Sequence, residues 1–256
     1  MQVERRTTWL LAVVLAAGCA SGSQTPAASP GPAPVQSVPA AAAVPAQLPE
    51  SIRWMQNSAE YVAIATQTYR LATARVEAGA QGRAAGTWAV VLDADDTVIN
   101  NIPYQAGLFR DGVTHTPERF TAWVRQRAST AVPGAKGFLS RVHELGGRVA
   151  IVTNRLQIEC EDTAENLRML SLTFDAVVCR PEGAPASADK SPRFRAVAAG
   201  QTPASRTPVD VLLYVGDNIQ DFPGGSQALR AQGEAAFGDV GVRWFVLPNP
   251  MYGSWQ

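Results

Sequence analysis

Asp93, Asp95 and Thr97 alternate over five residues, directly after the apolar run Trp88-Ala89-Val90-Val91-Leu92. In a straight strand, side chains two apart share a face and neighbours alternate; just past a strand end the backbone can turn and aim several of them at one place. A second apolar run, Val149-Ala150-Ile151-Val152, leads into Thr153-Asn154-Arg155. A third, Val209 to Val215, leads into Gly216-Asp217-Asn218-Ile219-Gln220-Asp221, and Lys190 lies between the last two. Clustered carboxylates repel one another, and a hard divalent cation among them relieves that repulsion. Magnesium suits such a group, because it prefers oxygen ligands and keeps several waters. A lysine and a hydroxyl add donors for phosphoryl oxygens. The set therefore suits attack by a carboxylate on phosphorus, with an aspartyl-phosphate formed on the way.

For these residues to meet, the elements between them must return each strand end to one edge. The hydrophobic pattern allows this. Short continuous apolar runs, at 88–92, 149–152, 176–178, 209–215 and 242–246, read as buried parallel strands. Helical periodicity separates them, near 135–145, 159–170, 192–199 and 224–235. Alternating strands and helices predict an α/β fold, a Rossmann-like doubly wound parallel sheet, in which ligands bind beyond the carboxyl ends of the strands. Ahead of it, Trp54, Ala59, Val62, Ala65, Tyr69, Ala72 and Val76 predict one helix over 51–78. Together with the helical, loop-rich stretch 99–132 it is expected to form a small helical cap.

Each motif alone has a plain structural explanation. Thr-Asn after a strand is a common turn or helix cap, Gly-Asp-Asn a common turn, and a single lysine is normally solvated. Their order and their placement at strand ends are what favour one shared site. The two histidines, His115 and His143, are far apart, lack metal-ligand spacing, and read as surface or core residues. Cys160 and Cys179 would form a disulfide if the compartment is oxidising and their strand and helix lie close.

The 22 basic and 22 acidic residues cancel, so broad binding to a nucleic acid polymer has no electrostatic support. With 46% hydrophobic and 17% charged residues, the chain can bury a full core. Residues 1–18 read as an export signal: Arg5 and Arg6 precede a short apolar stretch too brief to span a bilayer. Small residues ending in Cys19 make it a lipoprotein-type signal, with Ala16 where Leu is usual, and Cys19 as the lipidated residue. Residues 19–48, rich in Ala and Pro, read as a disordered tether, and 49–256 as the folded domain. The expected location is the cell envelope, held by lipid alone; Ala20 after the cysteine is compatible with outer-membrane sorting.

The four motifs, in this order, resemble those of the haloacid dehalogenase (HAD) superfamily. Further stretches resemble the class C acid phosphatases and lipoprotein 5′-nucleotidases: Trp54 to Tyr61, Asp96 to Tyr104, and Leu247-Pro248-Asn249-Pro250-Met251-Tyr252-Gly253. Two positions depart from that group, Asp96 where Glu is common and Asn100 where Asp is. The resemblance implies a phosphate monoester hydrolase with Asp93 as nucleophile and Asp95 as acid, then base. It implies a magnesium ion held by Asp93, the backbone carbonyl of Asp95, and Asp217, braced by Asp221. Thr153, Asn154 and Lys190 would bind the phosphoryl group, and Arg155 would either join them or pair with a surface acid. Tyr104 and Tyr252 could stack a nucleobase or simply pack. Alternatives are a phosphotransferase that uses an alcohol in place of water, a non-catalytic ligand-binding lipoprotein, and a secreted enzyme without lipid.

Overall fold

A computed structural model describes residues 47–183 and 189–256. Cys19, the export signal and nearly all of the tether lie outside the described residues. The domain opens with two helices, α1 (Glu50–Asn57) and α2 (Ala59–Ala80). Strand β1 (Trp88–Leu92) follows, then β2 (Ile99–Asn100), α3 (Ile102–Arg110), α4 (Pro117–Gln126) and β3 (Thr130–Ala131). After these come α5 (Ala135–Glu144), β4 (Arg148–Leu156), α6 (Cys160–Met169), β5 (Ala176–Arg180) and α7 (Ser191–Ala198). The chain ends with β6 (Asp210–Gly216), a series of short 3-10 turns, and β7 (Trp244–Val246).

Five strands form one parallel sheet in the order β5-β4-β1-β6-β7. The chain thus builds outward from β1 in one direction, then returns and builds from its other side. The switch of direction falls between β1 and β6, where open α/β sheets leave a crevice at the carboxyl ends. All five residues of β1 are buried. Alternation divides them between two cores. Val90 and Leu92 join Val149, Ile151 and Leu213 under α2 and α5, through Tyr69, Val76, Phe138 and Val142. Val91 joins Val152 and Tyr214 on the opposite face, with Phe194 and Val197 of α7, Phe222 and Trp244.

Two expected helices differ. The single helix over 51–78 is broken at Ser58, which leaves the helical region (φ −83°, ψ 140°) and caps α2 by accepting from the Tyr61 N–H. The break separates two destinations. Ala65, Tyr69, Ala72 and Val76 pack α2 onto the sheet, so most of this segment belongs to the main core and not to the cap. Helix α1 packs instead on α3, through Ile52, Met55, Ile102 and Ala106. What remains of the expected cap is α1, α3 and α4, where a cluster of Tyr104, Trp123 and Val124 holds α3 to α4, while the antiparallel β2–β3 pair packs on the main core through Ile99 and Ala131. The helix expected near 224–235 is replaced by 3-10 turns at Gln227–Gln232 and Glu234–Phe237. Gly233 between them takes φ 78°, a left-handed conformation that interrupts any continuous helix.

Cys160 at the start of α6 is disulfide-bonded to Cys179 of β5. The bridge closes a loop across 19 positions of sequence. Loop closure of this length restricts the unfolded chain by about 3 kcal/mol. Reduction should lower the melting temperature measurably, and the Cys160→Ser/Cys179→Ser variant should melt at the reduced value with or without reductant. A melt insensitive to reductant in the native protein would count against the bond.

Candidate active site

The site begins where β1 ends. The Asp93 N–H still donates to the Val215 carbonyl of β6 (3.0 Å), and then the chain leaves the sheet. Val98 and Ile99 N–H groups both return to the Ala94 carbonyl, and Asp96 takes φ 50° to close the loop. A non-glycine residue held left-handed needs local support. Asp96 has it: one oxygen accepts from the Asn101 N–H (3.0 Å), the other from the Tyr252 hydroxyl. Burial pushes the Asp96 carboxyl up to about 6, against these two hydrogen bonds. Thr97 is pinned from behind by the Tyr69 hydroxyl on its carbonyl (2.6 Å), and its own hydroxyl donates to Asp217 (3.1 Å).

The loop after β6 supplies the facing wall. Gly216 has no side chain for a steric reason: a Cβ there would lie 2.3 Å from that of Asp221. With that space clear, Asp221 accepts from the Asn218 N–H (2.9 Å) and from Lys190 (2.7 Å). Asp217 accepts from Thr97 and from the Asn249 amide (2.8 Å). Lys190, at the start of α7, is 2% exposed and also bonds Asp93. Oxygens of Asp93, Asp217 and Asp221 all lie within 4.8 Å of one another. Burial, partly countered by Lys190 and reinforced by Asp221 and Asp95, raises Asp93 to about 7. Burial, then Asp221 and Asp93, raise Asp217 well above the usual carboxylate range. Burial opposes the charge of Lys190, but Asp221 and Asp93 outweigh it and the ammonium is held more firmly than usual.

Asp95 is placed differently from the three acids. Burial opposes its charge, yet the Arg155 guanidinium holds its carboxyl below the usual range. Arg155 reaches it with two nitrogens, Nη2 (2.7 Å) and Nε (3.0 Å), and the Asn101 amide adds a third contact (2.7 Å). Arg155 is itself buried, donates to Thr163 (3.0 Å) and lies over the Phe120 ring. Its partner is thus an acid of the site, not one on the surface. Asn154 stands on the pocket wall. Thr153 is buried behind it, with its hydroxyl accepting from the Arg155 N–H (3.1 Å). Arg193 donates to the Thr153 carbonyl and to Asn154 Oδ1, so the amide nitrogen of Asn154 is its donating end.

These side chains surround a cavity of about 160 Å³, lined by Asp93, Asp95, Asn154, Lys190, Asp217, Asn218, Gln220, Asp221 and Tyr252. Of the expected site residues, Thr153 and Tyr104 are not on this wall. Tyr104 lines an adjoining cleft of about 900 Å³, as do Tyr252, Phe120, Leu108 and Met251. The Tyr104 ring is largely buried against Phe120 and Trp123, and its hydroxyl bonds His115 (3.0 Å). His143 is held by Asp175 (2.7 Å). Neither histidine belongs to the acidic cluster. Asn101, Arg193 and Asn249 also hold the site. Asn101 and Asn249 lie in the family-like stretches, but nothing in their spacing marks a function; Arg193 has no sequence signal.

Three crowded carboxylates, two of them (Asp93 and Asp217) with raised affinity for protons, offer only oxygen donors, which fits a hard divalent cation. Among the described residues, Asp93, Asp217 and Asp221 form the one such group.

The family model for HAD superfamily, subfamily IIIB (acid phosphatase) matches residues 15–255. The fold is similar to the class C acid phosphatase from Bacillus anthracis, with TM-score 0.69 and 26% identity over 80% of this chain and 84% of that one. A second structure of the class C acid phosphatase from Bacillus anthracis, with tungstate bound, gives TM-score 0.67 and 25% identity over the same shares. The doubly wound sheet, the acidic pocket at its switch point and the match over nearly the whole sequence agree, and the chain belongs to subfamily IIIB of the HAD superfamily, the acid phosphatases, as a phosphate monoester hydrolase.

Proposed function

We propose that hydrolysis runs through an aspartyl-phosphate on Asp93, with magnesium as the resident metal and Asp95 as proton donor and acceptor. The observation that carries this reading is how the acids of the site are spaced and paired. Asp93, Asp217 and Asp221 crowd one another, whereas Asp95 is paired away from them by Arg155. Asp93, the Asp95 carbonyl and Asp217 would hold the ion, with Asp221 in support. When bound, magnesium supplies positive charge that lets an anionic nucleophile and an anionic phosphate share the pocket.

Asp93 Oδ attacks phosphorus, the bond to the ester oxygen breaks, and that oxygen takes a proton from Asp95. Water then attacks the same phosphorus; Asp95 takes its proton, and inorganic phosphate leaves Asp93. Lys190 and the Asn154 amide offset charge on the phosphoryl oxygens as it grows. An arriving phosphate dianion also raises the pKa of Asp95, since a nearby like charge disfavours its ionised form. The related structure with tungstate bound supports a pocket suited to a tetrahedral oxyanion. The adjoining cleft would take the leaving group. Its Tyr104 and Tyr252 are the faces a nucleobase would meet, so 5′-nucleotides are candidate substrates.

Dialysis against a chelator should remove nearly all turnover of p-nitrophenyl phosphate, and magnesium should restore it. Asp217→Asn should need far more magnesium for the same rate. Full activity in chelator would overturn the metal assignment. An envelope enzyme tethered through Cys19 is part of this proposal; the mass of the mature N-terminus would carry a diacylglycerol, and an unmodified cysteine would exclude it.

A further inference from the structure

We propose that Asn101 is the positioning residue that decides which oxygen of Asp95 carries the proton. The inference rests on Asp95 being the acid, and deepens that reading. Asn101 is 1% exposed and sits where the chain enters the cap, at the start of α3. Its amide oxygen accepts from Trp123 Nε1 (3.0 Å) and Ser129 Oγ (3.3 Å). Two donors on that oxygen fix the amide orientation, so the nitrogen must face the other way. There it donates to Asp95 Oδ1 at 2.7 Å. Its backbone N–H is tied to Asp96, so the residue cannot swing.

Asp95 Oδ1 thus receives three donors: Asn101 Nδ2, Arg155 Nη2 at 2.7 Å and Arg155 Nε at 3.0 Å. Among the described residues, Oδ2 receives only the longer Arg155 Nε contact, at 3.2 Å. A carboxylate oxygen crowded by three N–H groups has no room for a proton. The proton that passes to the leaving oxygen, and the one later taken from water, must therefore sit on Oδ2. Arg155 alone would leave the carboxyl able to rock in the plane of the guanidinium; Asn101, approaching from the cap, removes that freedom. A fixed donor atom matters because proton transfer falls steeply with misplacement. The cap thereby sets the geometry of an acid carried by the core.

The test compares kcat/KM for an alkyl phosphate, glycerol 2-phosphate, with that for p-nitrophenyl phosphate. An alkoxide needs the acid when the P–O bond breaks, whereas nitrophenolate leaves without it. Asn101→Ala should lower kcat/KM for the alkyl ester by about 10- to 100-fold, within the range general acid catalysis supplies, and for the aryl ester by under about 3-fold. Trp123→Phe keeps the ring but removes one anchor of Asn101, and should shift the alkyl-to-aryl ratio in the same direction by a smaller factor. It decides the matter if the alanine variant does not fold. In an Asp95→Asn background, Asn101→Ala should leave the ratio unchanged, because its effect runs through Asp95. Equal losses on both esters, or a ratio shift that persists without Asp95, would overturn the proposal. If Asp95→Asn alone leaves the ratio at the wild-type value, the acid assignment itself is wrong and this proposal goes with it.

Discussion

Asp93→Asn is expected to reduce turnover of p-nitrophenyl phosphate by at least about 10⁴-fold while the protein remains folded, since removing a covalent nucleophile leaves only the contribution of binding and charge stabilisation. The geometry makes this a clean substitution. Asn has the same shape, its oxygen can keep the Lys190 contact, and Lys190 retains its bond to Asp221. The Asp93 N–H bond to Val215 is made by the backbone and does not change. Loss of a negative charge also relieves repulsion with Asp217 and Asp221, so the variant should melt no lower than the wild type. Acid quenching during turnover should trap phosphorylated protein from the wild type and none from the variant. Turnover near the native rate from purified Asp93→Asn would place the attacking group elsewhere and overturn the assignment of Asp93 as nucleophile.

What could be read ahead of the structure follows from the range of each signal. Buried parallel strands announce themselves as continuous apolar runs, and Trp88–Leu92 is found as expected, with every residue buried. Polar residues on the loops that follow such runs, whether directly as Asp93 and Asp217 or further along as Asp221 and Lys190, fall at the carboxyl edge by topology, which is why the sequence groups them. The break at Ser58 was harder to see, because apolar periodicity continues through it; only the packing shows that α1 belongs with α3 and α2 with the sheet. Partners set by tertiary contact carry no local signal at all. Arg155 and Asp95 are 60 positions apart, and nothing near either states that they pair. Asn249 and Asp217 are similar, separated by 32 positions. The 3-10 turns between Ile219 and Phe237 illustrate a third case: helical composition was present, but Gly224 and Gly233, both with positive φ, divide it into pieces.

Lys190→Met should lower kcat/KM by about 10²- to 10³-fold, the scale of losing one preorganised charge that stabilises a phosphoryl transition state. It should also change how stability depends on pH, and the sign is fixed by the groups around it. In the metal-free protein, burial raises Asp93 from 3.8 to about 7, so the folded state holds this proton more tightly than the unfolded chain does. Such a group favours folding at low pH, and that contribution is lost as pH rises from about 4 through about 7. Lys190 opposes the loss, because its ammonium lowers the proton affinity of Asp93 and its bond to Asp221 offsets a second charge. Methionine fills similar volume but supplies no charge, and leaves three carboxylates within 4.8 Å of one another with no cation between them. The melting temperature of Lys190→Met in chelator should therefore fall below that of the wild type by a margin larger at pH 7.5 than at pH 5. Added magnesium should recover part of the deficit at pH 7.5, since a cation among the carboxylates again balances their charge. It should not recover the rate, because the amine that meets the phosphoryl oxygens is still missing. A deficit of equal size at both pH values would mean that Lys190 contributes packing and not charge, and full recovery of rate by magnesium would mean that its charge acts on the acids alone and never on the substrate.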